Sequence, residues 1–275
     1  MAFDLVHETA QVNGTALAYS MAGPAEGRPV VCSHSLFLDR RMWYPLMELL
    51  AERGYLVIAY DHRGQGDSAR AERREDLDVE ILTADAAAFI EARGWRPCHV
   101  IGNSLGGFVW LRLAARRPDL IRTCTVIGSS AEEEYRRADY EPLVAHLTEH
   151  GAAQVIDSIL AIMFGRWTLQ NNSSLISTWR ERIRELGPSI GDAAYGVVTR
   201  KRVVEELHQC TVPVLAIAGE EDSAYPTPIS SDNIADASPH GRTVTIPKAG
   251  HSAAIEQTDL VLPHLVEQFA LADGS

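Results

Sequence analysis

Cysteine is scarce in this chain, which has four in 275 residues and no Cys-x-x-Cys pair. The thiols lie far apart, on or beside apolar stretches, at Cys32, Cys98, Cys124 and Cys210. Disulfide frameworks belong mainly to small secreted domains, and a metal or redox site built from cysteines requires closer spacing. We therefore expect four buried, reduced thiols.

Positive charge is also in short supply, since 25 Lys and Arg stand against 37 Asp and Glu, for a net charge of −12. An acidic surface is repelled by phosphate backbones and by anionic lipid headgroups, so we expect neither nucleic acid nor a membrane as a partner. No apolar run reaches membrane-spanning length, and residues 1–8 lack a basic region followed by an apolar core. These features predict a cytoplasmic protein.

Closely spaced metal ligands are lacking as well. His146 and His150 lie four residues apart and would share one face of a helix. A zinc site needs at least three protein ligands, and a pair of histidines alone does not supply them. We expect no metal and no other cofactor.

The most informative motif that is present places Ser104 between Gly102 and Gly106, directly after the apolar residues 99–101. A sharp turn from strand to helix would expose the serine hydroxyl, and small residues two positions away would let backbone segments pack closely. The apolar stretch from 105 to 115 predicts a buried helix whose N-terminus would stabilise negative charge beside the serine. Ser104 is therefore a candidate nucleophile.

The partners that a serine nucleophile needs occur downstream. Asp222 follows an apolar strand pattern that ends at Gly219, and His251 lies in a loop after a strand pattern at 244–246. His251 is the candidate base that takes the serine proton, and Asp222 would hold its tautomer and stabilise the imidazolium. Glu221 is the alternative acid.

A serine mechanism also needs backbone N–H donors for the oxyanion of the tetrahedral intermediate. The N–H of Leu105, directly after the serine, is one candidate. The other should come from the loop that follows the strand pattern at 29–33. We assign it to Leu36, with Phe37 as the alternative.

Taken together, these motifs resemble the α/β-hydrolase superfamily over nearly the whole chain. Residues 60–68 are similar to the Asp-x-Arg-Gly-x-Gly-x-Ser loop of that superfamily, and residues 33–43 resemble the oxyanion segment of 3-oxoadipate enol-lactonases and their esterase relatives. The resemblance implies an α/β fold with a mostly parallel eight-stranded sheet, flanking helices and an inserted helical cap. It also implies a structural role for Asp61, which precedes the serine in the chain.

Strands alternate with amphipathic helices along the sequence, as expected for such a sheet. An antiparallel hairpin is predicted for residues 6–20, joined at Asn13-Gly14. Residues 131–209 contain helical signals and no convincing strand, so we expect the cap there and the core at 1–130 and 210–275. A capping box at 130–133 predicts the start of the first cap helix.

The substrate pocket should lie between this cap and Ser104. Its candidate lining residues are His34 and Phe37 from the oxyanion segment and Met163, Phe164 and Trp167 from the most apolar part of the cap.

The sequence therefore predicts a serine hydrolase that cleaves a carboxylic ester or lactone through an acyl-enzyme, with such a small molecule as its partner. A carbon–carbon bond hydrolase of ring-cleavage products and a non-catalytic small-molecule receptor on the same fold are the alternatives. The turn at 102–106 carries Ser104 and no aspartate, which argues against the haloalkane dehalogenase and epoxide hydrolase branches of the superfamily. The sequence does not decide whether the protein is a monomer or a homodimer.

Overall fold

The computed structural model describes residues 5–274. Residues 1–4 of the N-terminal segment considered above, and residue 275 at the end of the predicted core, lie outside this range. Eight strands form one sheet in the order β1-β2-β4-β3-β5-β6-β7-β8. They are β1 (Val6–Val12), β2 (Thr15–Ala22), β3 (Arg28–Ser33), β4 (Tyr55–Tyr60), β5 (Cys98–Asn103), β6 (Ile121–Ile127), β7 (Val214–Gly219) and β8 (Gly241–Ile246).

The sheet is mostly parallel, as predicted. Strand β2 is antiparallel to both of its neighbours, and every other pairing is parallel. The predicted hairpin between β1 and β2 is confirmed. Its turn residues Asn13 and Gly14 both have positive φ, 46° and 72°, which is the backbone that a tight Asn-Gly turn requires.

The α-helices of residues 5–274 flank the sheet or lie in the stretch between β6 and β7. They are α1 (Tyr44–Ala51), α2 (Val79–Arg93), α3 (Leu105–Arg116), α4 (Arg137–His150), α5 (Ile156–Met163), α6 (Arg166–Asn171), α7 (Ser173–Arg184), α8 (Ser189–Val198), α9 (Val204–Leu207), α10 (Asp232–Ala237), α11 (Ala253–Glu256) and α12 (Thr258–Asp273). One group of helices, each in contact with the next, consists of α2, α3, α9 and α10, and another consists of α1, α11 and α12. Every residue of the central strands β5 and β7 is buried, as expected when helices cover both faces of a parallel sheet.

The stretch between β6 and β7, residues 128–213, is described throughout and forms six α-helices, α4 to α9, but no strand. We call the segment from Arg137 to Leu207 the helical insertion. The predicted cap bounds of 131–209 stay a prediction. The predicted helix start at 130–133 is wrong, because the Ser130 hydroxyl accepts the N–H of Glu132 at 3.0 Å in a turn and the first helix begins at Arg137.

The four cysteines are all free and buried, as expected. Burial raises the pKa of the Cys32 and Cys98 thiols well above their usual range, which keeps them protonated and unreactive. Among the helices of residues 5–274, none has both the length and the apolar character needed to cross a bilayer.

Two buried histidines support the loop that follows β3. The ring Nε2 of His34 accepts the backbone N–H of His62 at 3.0 Å, and the His62 Nε2 lies 2.8 Å from the hydroxyl oxygen of Ser33. Burial lowers the pKa of His34 and, together with the neighbouring His34 ring, holds that of His62 well below 6.5. Both rings are therefore neutral in the folded protein at neutral pH.

These buried histidines predict a loss of stability in mild acid. An unfolded histidine has a pKa of about 6.5, so below that pH the unfolded chain takes up protons that the folded chain excludes. The free energy of unfolding should fall as the pH drops from about 6.5 toward the lower folded pKa, by up to about 1.4 kcal/mol per pH unit for each histidine. Urea denaturation between pH 7.5 and 5 should show that the free energy of unfolding changes less steeply with pH in His62→Gln than in wild type. His240→Gln, at an exposed histidine, is the control and should keep the wild-type dependence on pH. The same pH dependence in wild type and His62→Gln would contradict this prediction.

Candidate active site

Ser104 occupies the turn between β5 and α3 that the sequence predicts. Its backbone has φ 51° and ψ −111°, an uncommon conformation for a residue with a side chain that costs about 1–3 kcal/mol. A Cβ atom at Gly106 would lie 2.1 Å from the carbonyl oxygen of Ser33, and one at Gly102 would lie 2.4 Å from the carbonyl carbon of Gly106. Close backbone packing thus holds the strained turn, and it leaves no room for larger residues at either position.

His251 and Asp222 form a buried pair at the ends of two other strands. The Nδ1 of His251 lies 3.0 Å from Oδ2 and 3.2 Å from Oδ1 of Asp222. The Asp222 Oδ1 also accepts the backbone N–H groups of Ala224 and Tyr225, at 2.8 and 3.0 Å. These two donors fix the Asp222 carboxylate beside the imidazole. A proton on Nδ1 of His251 would be donated to this carboxylate, which would leave Nε2 free to accept one.

Glu221, the alternative acid, and Asp61 both form hydrogen bonds away from His251. Glu221 accepts the backbone N–H of Trp167 at 2.8 Å. Asp61 is fully buried, and its carboxylate accepts the backbone N–H of Arg40 at 2.7 Å and that of Asp67 at 2.9 Å. Asp61 therefore fixes its own loop and the segment after β3, which fits the structural role that the family resemblance implies.

The loop after β3 lies against the start of α3. The N–H of Gly106 donates to the carbonyl oxygen of His34 at 3.1 Å. Within residues 5–274, the backbone N–H groups of Leu36, Phe37 and Leu105 have no hydrogen-bond acceptor. They are available as donors to a bound oxyanion, and the assignment to Leu36 and Leu105 stays a prediction.

A cavity opens at Ser104 and His251, between the sheet and the helical insertion. The cavity is narrow, because the volume open to the centre of a water molecule is about 60 Å³. Its polar members besides these two are Ser35, Glu134, Tyr140 and Tyr225. The apolar lining consists of Leu36, Phe37, Leu143, Val144, Leu147, Ile162, Met163, Ala194, Val197, Val198 and Ala224.

Only part of the predicted pocket lines this cavity. Phe37 and Met163 do, whereas the assignments of His34, Phe164 and Trp167 are wrong. His34 is fully buried with its two ring nitrogens bonded to the backbone, Phe164 is only 2% exposed in the core, and the Trp167 ring lies outside beneath Lys248, at 5.6 Å from its ammonium nitrogen.

The sequence analysis missed the cavity wall formed by α4 and α8. A helical signal was available on α4, because Tyr140, Leu143, Val144 and Leu147 recur at three- and four-residue spacing and all line the cavity. Such spacing identifies a buried face but does not distinguish a cavity from a packed core.

A buried polar cluster at the cavity wall was also missed. The Glu134 Oε2 accepts from Arg200 Nη1 at 2.9 Å and from the hydroxyl of Tyr225. The Arg200 guanidinium carbon lies 4.1 Å from the centre of the Phe108 ring. Burial raises the pKa of Tyr225 well above its usual range, so its hydroxyl stays a donor. The charge of Arg200 is thus neutralised by Glu134.

Within the described residues, no group of three or more His, Cys, Asp or Glu side chains is arranged to hold a metal ion. His146 and His150 do lie together, with ring centres 4.9 Å apart. The Glu149 Oε1 lies 3.5 Å from the His150 Nε2, but within residues 5–274 these side chains do not form a group that could hold a metal ion.

Comparisons with known proteins agree with this architecture. A family profile described as the alpha/beta hydrolase fold matches residues 28–258. A candidate carbamate hydrolase, RutD, from Caulobacter sp. strain K31 is 28% identical over 247 residues, covering 85% of this chain and 91% of that protein.

Two solved structures are similar along nearly their whole length. The enol-lactonase from Burkholderia xenovorans LB400 has a TM-score of 0.87 at 24% identity, covering 96% of this chain and 100% of that one. A thermophilic esterase from Thermogutta terrifontis has a TM-score of 0.86 at 24% identity, covering 98% and 99%. At this identity the two structures establish the shared fold alone.

The packing around Ser104 predicts that Gly106→Ala is destabilising. The new methyl group would meet the Ser33 carbonyl oxygen at 2.1 Å, so backbone must move, at a cost of about 1–3 kcal/mol. Gly187→Ala is the matched control, since no heavy atom lies within 4 Å of its Cβ position. Urea unfolding should show a lower free energy for Gly106→Ala only, and equal stability of the two variants would contradict the account of the turn.

Proposed function

Because this chain belongs to the α/β-hydrolase family, we propose that it is a serine hydrolase that cleaves a carboxylic ester or lactone through an acyl-enzyme. The observation that supports this most is the hydrogen bond from His251 to Asp222 at 3.0 Å, with His251 and Ser104 lining one cavity. The roles are Ser104 as nucleophile, His251 as general base and Asp222 as the orienting acid.

In the first half of the proposed reaction, the His251 Nε2 takes the hydroxyl proton of Ser104 while its oxygen attacks the substrate carbonyl carbon. The N–H groups of Leu36 and Leu105 would stabilise the oxyanion, by about 3 kcal/mol for each donor. As the tetrahedral intermediate collapses, the bond to the leaving oxygen breaks and His251 returns its proton to that oxygen. The product is an acyl ester on Ser104 and a free alcohol, or the tethered alcohol of an opened lactone.

In the second half, water replaces the alcohol. His251 takes a proton from the water as its oxygen attacks the acyl carbon, and the intermediate collapses with release of the acid. The proton then returns to Ser104, which regenerates the enzyme. No redox step or second substrate is required.

The cavity lining favours an uncharged substrate. Among the described residues that line it there is no Lys or Arg, and nearby Arg200 is paired with Glu134. A free carboxylate, such as that of a dicarboxylic enol-lactone, would find no unpaired cation there. A small apolar ester or lactone is therefore the preferred class, and a carbamate is the second candidate because of the 28%-identical relative.

Ser104→Ala tests the nucleophile. We expect kcat on aryl esters, small lactones, macrocyclic lactones or an aryl carbamate to fall at least about a thousandfold, because no acyl-enzyme can form. In ¹⁸O-labelled water, wild type should place one label in each acid released from an ester. Turnover by Ser104→Ala comparable to wild type would contradict the mechanism, and stoichiometric binding without turnover in wild type would favour a receptor.

The two neighbouring carboxylates provide a test of the acid. Asp222→Asn should lower kcat by about 10³–10⁴-fold, because the amide no longer favours the required imidazole tautomer. Glu221→Gln should retain kcat within about tenfold, since its carboxylate contacts the helical insertion and not His251. Steady-state kinetics of both variants on the best substrate decides the assignment. A larger loss in Glu221→Gln than in Asp222→Asn would reverse it.

A further inference from the structure

A buried carboxylate outside the proposed triad links the base to the helical insertion. Glu256 is 7% exposed and lies at the end of α11, five residues after His251. Its Oε1 accepts the N–H groups of Gly250 and Ser252, at 2.9 and 3.1 Å. These two N–H groups belong to the residues immediately before and after His251. Its Oε2 accepts the N–H of Gly165, at 2.7 Å, where the helical insertion turns from α5 into α6.

A second carboxylate ties the same turn to the acid. Glu221, the residue before Asp222, accepts the N–H of Trp167 at 2.8 Å. The backbone N–H of Glu221 donates to the Ala249 carbonyl oxygen at 2.8 Å. The start of α6 is therefore held by two carboxylates, one from Glu256 on α11, just after His251, and one from Glu221, just before Asp222.

The backbones at this junction are in direct contact. A Cβ atom on Gly250 would lie 2.2 Å from the Gly165 nitrogen, and one on Gly165 would lie 2.8 Å from the Gly250 nitrogen. No side chain intervenes, so the insertion cannot shift here without displacing the peptide next to His251. The Glu256 carboxylate beside this contact is buried.

Hydrogen bonds from three backbone N–H groups hold the buried carboxylate of Glu256. Burial raises its pKa, and the Thr168 side chain and the N–H groups of Gly165, Gly250 and Ser252 act in the opposite direction by favouring the ionised form. Three donors on one carboxylate exceed what a neutral amide can satisfy, since the amide nitrogen cannot accept.

We propose that Glu256 is a positioning residue whose carboxylate couples the seating of the helical insertion to the placement of His251. Glu256 itself would touch no substrate. It would act through the backbone N–H groups of Gly250 and Ser252, the residues on either side of His251. The expected kinetic effect rests on the proposed serine mechanism, whereas the expected structural coupling does not.

The test compares Glu256→Gln with Glu267→Gln, an exposed glutamate on α12, by hydrogen–deuterium exchange and steady-state kinetics. In Glu256→Gln we expect exchange to accelerate at least about tenfold in two segments together, 165–171 and 248–252, with β5 unchanged. The kcat on the best ester should fall about ten- to a hundredfold, because the base is held less well. Glu267→Gln should match wild type in both measurements.

A second variant approaches the junction from the other side. A methyl group on residue 165 would lie 2.8 Å from both the Gly250 nitrogen and the Glu221 Oε2, so the start of α6 must move away from the sheet. We therefore expect Gly165→Ala to weaken the hydrogen bond to Glu256 and to accelerate exchange in 248–252. It also keeps the proposal testable if Glu256→Gln does not fold.

Exchange that accelerates in one segment only, or throughout the sheet as well, would overturn the coupling. Acceleration in both segments with an unchanged kcat would overturn the positioning role. If wild type hydrolyses nothing in the panel, the proposed function fails, and the exchange result still decides the coupling on its own.

Discussion

The site depends on one close backbone approach, that of Gly106 to the carbonyl oxygen of Ser33, where even a methyl group does not fit. This approach holds Ser104 at a positive φ and lets the N–H of Gly106 bond to His34. The loop carrying Leu36 is thereby locked beside the serine. Tight packing across two parallel strands thus holds the strained turn and places Ser104, the proposed nucleophile, beside the candidate oxyanion donors.

The parallel sheet explains how distant residues meet. The carboxyl ends of parallel strands share one edge, so the loops after β3, β5, β7 and β8 all open on the same side. They bring together Leu36, Ser104, Asp222 and His251. Asn103 reinforces this arrangement, since its amide nitrogen donates to the His251 carbonyl oxygen at 2.9 Å, across 148 residues of sequence.

The sheet and the turn that carries Ser104 were predictable because each depends on a local signal: apolar runs, an Asn-Gly turn, and glycines that flank Ser104. The cavity lining was not, because it depends on how the helical insertion lies over the sheet. Phe164 and Trp167 are apolar in the sequence, yet one packs in the core and the other lies under Lys248. Glu134 gave no signal either, since its partner Arg200 is 66 residues away.

We propose that Ser104 is a nucleophile activated by His251. The most direct measurement is peptide mapping by mass spectrometry after treatment with diethyl p-nitrophenyl phosphate, which phosphorylates an activated serine with release of p-nitrophenol. The account predicts one diethylphosphoryl group, on Ser104 in wild type and absent from His251→Ala under the same conditions. An adduct on another residue, or equal labelling of Ser104 in both proteins, would contradict it.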